Sequence, residues 1–161
     1  MLTVLREPTK ELQRFRSAPW QFQQTFVTPL KDLKCFVSTI CGVHSLDRAV
    51  LTTDTVVFEP QDVIRFFASH SVTLENCYKF TVLAEGQDEI AELLEVVLSN
   101  WIDFLFVPTP QSFAIYADHD EYTTFYFSNH ETLVEFVEKL REAGFKDIHD
   151  YKRGYLGVSW R

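Results

Sequence analysis

The sequence predicts an α+β fold: a two-layer domain, mainly antiparallel sheet, with two to four helices packed on it. Three observations carry this expectation. Two segments repeat apolar residues with a helical period, and short segments rich in Phe and Tyr alternate apolar with polar residues between them. The second half of the chain then reads strand, helix, strand, strand, strand, helix, strand, an order that suits helices on one face of an antiparallel sheet and admits a split βαβ unit.

The helices are read from their stripes. From Gln87 to Ser99, residues Ile90, Leu93, Leu94, Val97 and Leu98 recur at i, i+3, i+4, i+7 and i+8, with Asp88 and Glu89 in the first turn where carboxylates favour the dipole. From Asn129 to Ala143 the stripe is Leu133, Phe136, Val137 and Leu140. Ser128 and Glu131 have capping-box spacing, Gly144 offers a left-handed stop, and Glu135 with Lys139 forms an i, i+4 pair. A shorter helix follows Pro60, with Val63, Phe66 and Phe67 inward, and a fourth is expected from Pro8 to Arg16.

Strands are expected where aromatic residues alternate. Trp20, Phe22 and Phe26 alternate with Gln and Thr; Cys35–Ile40, Thr55–Phe58 and Cys77–Ala84 are short candidates. Asp103–Val107 is expected to end at Pro108-Thr109-Pro110, because proline stops pairing. Phe113–Ala117 and Tyr122–Phe127 make the clearest hairpin, closed by Asp118-His119-Asp120-Glu121, and Tyr155–Trp160 is expected as a final strand. No internal repeat or linker divides the 161 residues, so one domain is expected over residues 1–161.

Composition narrows the function. Apolar residues are 46% and charged residues 24%, as in globular proteins, and 15 Phe make the core aromatic. The net charge of −8 is uneven. Residues 1–48 carry +3, residues 49–128 carry −11 with only Arg65 and Lys79 basic, and residues 129–161 balance. This acidity argues against nucleic acid and anionic membranes as partners. No uncharged run exceeds 14 residues, and the one between Lys34 and Asp47 is too short and polar to span a bilayer. Three cysteines (Cys35, Cys41, Cys77) at irregular spacing make a poor disulfide framework; reduced thiols in a cytoplasmic protein are expected.

Chemical motifs are sparse. Five scattered glycines form no phosphate-cradling loop, so no cofactor is expected. Cys41-Gly42-Val43-His44 resembles half of a zinc site without a second pair, and a Cys41–His44 nucleophile and base would need an orienting acid. The sharpest feature is the hairpin tip Asp118, His119, Asp120 and Glu121. Turn geometry alone accounts for such residues, and a partner contact or a divalent cation is the functional alternative.

Two functional expectations result. The first is a small acidic interaction protein that binds and blocks, or assembles with, a basic partner, as acidic immunity proteins and antitoxins do; that analogy is of charge and size alone. Its surface would comprise Asp118, His119, Asp120 and Glu121 with Tyr116 and Tyr122, plus Asp88, Glu89, Glu92 and Glu95 on the outer face of the Gln87–Ser99 helix. The second is a small-molecule or metal-binding domain, or a hydrolase, with an aromatic-lined pocket and polar groups at the 118–121 tip.

Overall fold

A computed structural model describes residues 1–7, 20–110 and 112–153. In chain order the elements are β1 (Leu2–Val4), β2 (Phe22–Val27), α1 (Leu33–Val43), β3 (Arg48–Val56), α2 (Gln61–Ser69), β4 (Thr81–Glu85), α3 (Gln87–Ser99), β5 (Ile102–Thr109), β6 (Phe113–Ala117), β7 (Tyr122–Phe127), α4 (His130–Glu142) and β8 (Asp147–Ile148). The expected helix at Pro8–Arg16 and strand at Tyr155–Trp160 lie outside the described residues.

The eight strands form one antiparallel sheet in the order β1-β4-β3-β5-β6-β7-β2-β8. The α+β two-layer expectation holds. β4–α3–β5 is a split βαβ unit with β3 between its two strands, and β7–α4–β8 is a second, split by β2.

The described helices share one face of the sheet. Ile90, Leu93, Leu94 and Val97 of α3 and Phe136 and Leu140 of α4 are buried against Leu51, Val82, Phe104, Phe106, Phe113, Phe125 and Phe127. Phe136 is the hub: its ring lies 4.5 Å from Phe113, 5.4 Å from Phe127 and 6.0 Å from Phe125, within the range where tilted aromatic pairs attract. On the opposite face, Val50, Val107, Ala114, Tyr116 and Tyr126 form a smaller buried cluster.

Several local expectations are corrected. Cys35–Ile40 is helical, not extended, because Leu33, Phe36, Val37, Ile40 and Cys41 lie at i, i+3, i+4, i+7 and i+8, one buried stripe of α1. The strand at Thr55–Phe58 ends at Val56 and begins back at Arg48. Ala49, Val50 and Leu51 are all buried, so this central strand shows an unbroken apolar run instead of alternation. β4 begins at Thr81 rather than Cys77. Pairing on β5 continues through the proline, with Ala49 opposite Pro108 and Arg48 opposite Thr109. β1 and β8 are additional short edge strands.

Helix ends follow local chemistry. Asn129 caps α4, its Oδ1 accepting from Thr132 N–H at 2.8 Å, in place of the expected Ser128–Glu131 box. Gly144, at φ +91°, stops α4 as expected: its N–H donates to Arg141 O, and Phe145 N–H donates to Leu140 O. Glu135 turns to His44 at 3.5 Å, and Lys139 pairs with Glu142. Pro60, expected at the first helical position, stands instead at the N-cap of α2.

Candidate functional site

The polar groups of the sheet gather at one end, where β3 finishes, β5 starts and the β6–β7 hairpin turns. The hairpin loop is shaped by Asp118, whose Oδ1 accepts from Asp120 N–H at 2.9 Å and Tyr122 N–H at 3.3 Å. Glu121 takes φ 70°, a left-handed residue that helps this short loop reverse the chain. The other carboxylate oxygen of Asp118 faces inward to Arg153 Nη1 at 2.5 Å, and both side chains are only 9% exposed.

Arg153 ties three elements together. Its Nε donates to Thr124 Oγ1 at 3.1 Å, and Thr124 shares a buried hydroxyl contact of 2.8 Å with Thr25. Its guanidinium lies 4.8 Å from the Tyr116 ring and 5.7 Å from the Tyr151 ring, within cation–π range. Its Nη2 is buried without a hydrogen-bond partner among the described residues.

A bulge in β3 supplies the next group. The register with β5 shifts between Thr53 and Thr55, leaving Asp54 as the extra residue, and Asp54 Oδ2 accepts from Tyr116 O–H at 2.8 Å. Burial first, then the Asp54 contact, pushes the Tyr116 phenol far above its ordinary value, so it stays protonated and donates. Asp103, nearly buried at the start of β5, accepts from both His119 N–H and His119 Nδ1 at 2.8 Å each. That contact raises the His119 pKa above 6.5, with burial opposing and Asp120 and Asp118 adding smaller electrostatic help.

The candidate residues therefore separate by role. Asp118, His119, Tyr116 and Tyr122 come together, joined by Asp54, Asp103, Tyr151 and Arg153, which are not among the candidate site residues. Tyr116 is buried and Tyr122 half-buried, whereas Asp120 and Glu121 project into solvent. Asp88, Glu89, Glu92 and Glu95 are elsewhere. α3 begins at the opposite end of the sheet, beside Glu85 and Arg48, about 20 Å from the tip by the length of β5. Glu89 is enclosed there, 2.8 Å from the Met1 amino nitrogen and 3.8 Å from His70 Nε2; Glu92 lies 3.9 Å from the same imidazole.

The tip end also carries apolar surface, at residues the sequence pattern assigns to a strand. Val57 is 45% exposed and Phe58 61% exposed, immediately after β3 and flanked by exposed Asp54 and Glu59. Burial pushes the Cys41 thiol up to about 11, which disfavours the thiolate a nucleophile needs, and His44 stacks on Phe136 at 5.6 Å. Among the described residues no group of three or more His, Cys, Asp or Glu is arranged to hold a metal ion, and no helix is long and apolar enough to cross a membrane.

No protein-family model matches the chain, and comparison with curated proteins and with solved structures finds no match.

Proposed function

We propose that the chain is a small acidic interaction protein that docks a basic partner on the sheet end formed by residues 54–59 and 118–121. One observation carries the reading: Phe58 and Val57 stand exposed at the same end as the exposed carboxylates of Asp54, Glu59, Asp120 and Glu121. An apolar anchor rimmed by charge of one sign is the anatomy of a steered protein interface, with the aromatic ring supplying affinity and the charge supplying on-rate. The internal pairs support it, because Asp118 and His119 are held by Arg153 and Asp103 and so present a rigid platform. The Asp118–Arg153 pair counts against the cation alternative, since that carboxylate already faces a guanidinium. Three free cysteines accord with a reducing, cytoplasmic setting.

The test is affinity capture at two salt concentrations with the wild-type chain, Phe58→Ser, and the double variant Asp120→Asn with Glu121→Gln. A basic protein retained by wild type, released at high salt and lost with either variant supports the reading. Identical capture by all three chains refutes it.

A further inference from the structure

β1 forms one outer edge of the sheet and bonds to β4 through one side of its backbone only. Leu5 N–H donates to Thr81 O at 2.8 Å and Glu85 N–H donates to Met1 O at 3.2 Å. With Thr3 opposite Leu83, these bonds make residues 1, 3 and 5 the inward-facing positions. Leu2 and Val4 therefore direct their N–H and C=O groups away from β4, and no other described strand lies alongside them.

That edge, open among the described residues, borders a cavity of about 580 Å³, a size typical of ligand sites. The cavity touches every residue from Leu2 to Arg6. Side chains along a strand alternate between faces, so consecutive residues share one hollow most simply along the strand's edge. The far wall is residues 71–76, where Val72 and Leu74 pack on the helix-side core. A second hollow of about 240 Å³ lies on the other side of the same wall, between residues 72–75 and Ile64 and Ala68 of α2, while Val72 N–H donates to Phe67 O where the wall leaves the helix. The charge here is opposite in sense to the sheet end. Lys79, one of only two basic residues between positions 49 and 128, lines the groove with Arg6, whose guanidinium is 3.0 Å from Glu75, the one carboxylate among the described residues of the lining.

We propose that this groove docks an extended acidic peptide segment of a partner protein, which adds to β1 as a further strand and sets a carboxylate beside Lys79. Main-chain bonds from Leu2 and Val4 supply the pairing, and Val72 and Leu74 receive the segment's helix-side residues. Positive groove charge selects an acidic segment, and the net charge of −8 works against a second copy of this chain as occupant.

The probe is an acetylated, amidated eight-residue peptide alternating valine and threonine around two aspartates, compared with its dilysine counterpart. Binding is followed by fluorescence anisotropy and by amide chemical shifts of the whole chain. The expected result is saturable binding of the aspartate peptide, about tenfold or more tighter than the lysine peptide at low salt, with shifts confined to residues 2–6 and 71–80. Val4→Pro removes the outward donor and spares the inward ladder, so it should abolish binding with little change in melting temperature. Lys79→Glu, an exposed change, should reverse the peptide preference and gives an independent readout if Val4→Pro unfolds. No saturable binding, shifts elsewhere, or unchanged peptide preference in Lys79→Glu overturns the proposal. A wild-type dimer in sedimentation that the peptide cannot displace also overturns it, by assigning the groove to a second copy.

Discussion

Asp118 and Arg153 meet at 2.5 Å across 35 residues of chain, each with 9% of its side chain exposed. The pair joins the hairpin tip to the segment that follows β8, and Thr124 and Thr25 extend it into β7 and β2. Removing one member of such a pair strands the other charge, which matters more than the attraction lost. Asp118→Asn keeps an oxygen for the turn bonds but removes the charge, and should cost about 3 kcal/mol in chemical denaturation. In a double-mutant cycle Arg153→Met should cost far less in the Asp118→Asn background than alone; additive costs would mean the two residues act separately.

His119 gives the fold a pH dependence whose sign is fixed by Asp103. The contact raises the folded pKa above the ordinary 6.5 of the unfolded chain. The stabilisation is therefore complete below about pH 6.5 and is lost as pH rises through the raised folded value. Melting temperature measured from pH 6 to 9 should fall more for wild type than for His119→Gln, and proton resonances of the imidazole should titrate late. Parallel curves for the two proteins would remove the coupling.

Phe136 should be the costliest single truncation in the core. It is fully buried against three phenylalanine rings of β6 and β7, so nothing nearby can collapse into the gap. Phe136→Ala should lose about 3–5 kcal/mol in denaturant titration, whereas Phe136→Leu should lose roughly half as much. Equal losses would show that the site repacks freely.

The thiols should differ in reactivity by location. Cys35 is exposed on α1, while Cys41 is buried further along the same helix, with its pKa pushed up to about 11. At pH 8 an aromatic disulfide reagent should label Cys35 promptly and Cys41 only on unfolding. Prompt labelling of Cys41 would mean that α1 opens easily.

The two-layer class is legible because α3 and α4 carry long stripes, and every residue of the α3 stripe is buried as its spacing requires. α1 reads as a strand because Phe, Val, Thr and Ile within Cys35–Ile40 have strand propensity; the i, i+3, i+4 spacing that overrides it starts at Leu33, outside that window. β3 is obscured for the reverse reason: burial on both faces erases the period that marks a strand. At the site, hairpin chemistry announces Asp118 and Glu121, since turns depend on neighbours in sequence. Arg153, Asp103 and Asp54 depend on register and on a bulge, which no local pattern encodes. The acids of α3 lie on a helix whose first turn stands at the opposite end of the sheet from the tip, a placement that only the strand order reveals.

Phe58 offers the sharpest distinction between fold and function. A side chain that is 61% exposed makes little contribution to folding, so Phe58→Ser should change stability by no more than about 0.5 kcal/mol. The same substitution should abolish capture of a basic partner, because an interface anchor contributes energy only once it is buried by the partner. Equilibrium denaturation of Phe58→Ser beside Phe136→Ala tests this directly. A loss near that of Phe136→Ala would mean that the ring belongs to the core, and the acidic sheet end would then lack its exposed phenylalanine anchor for a partner.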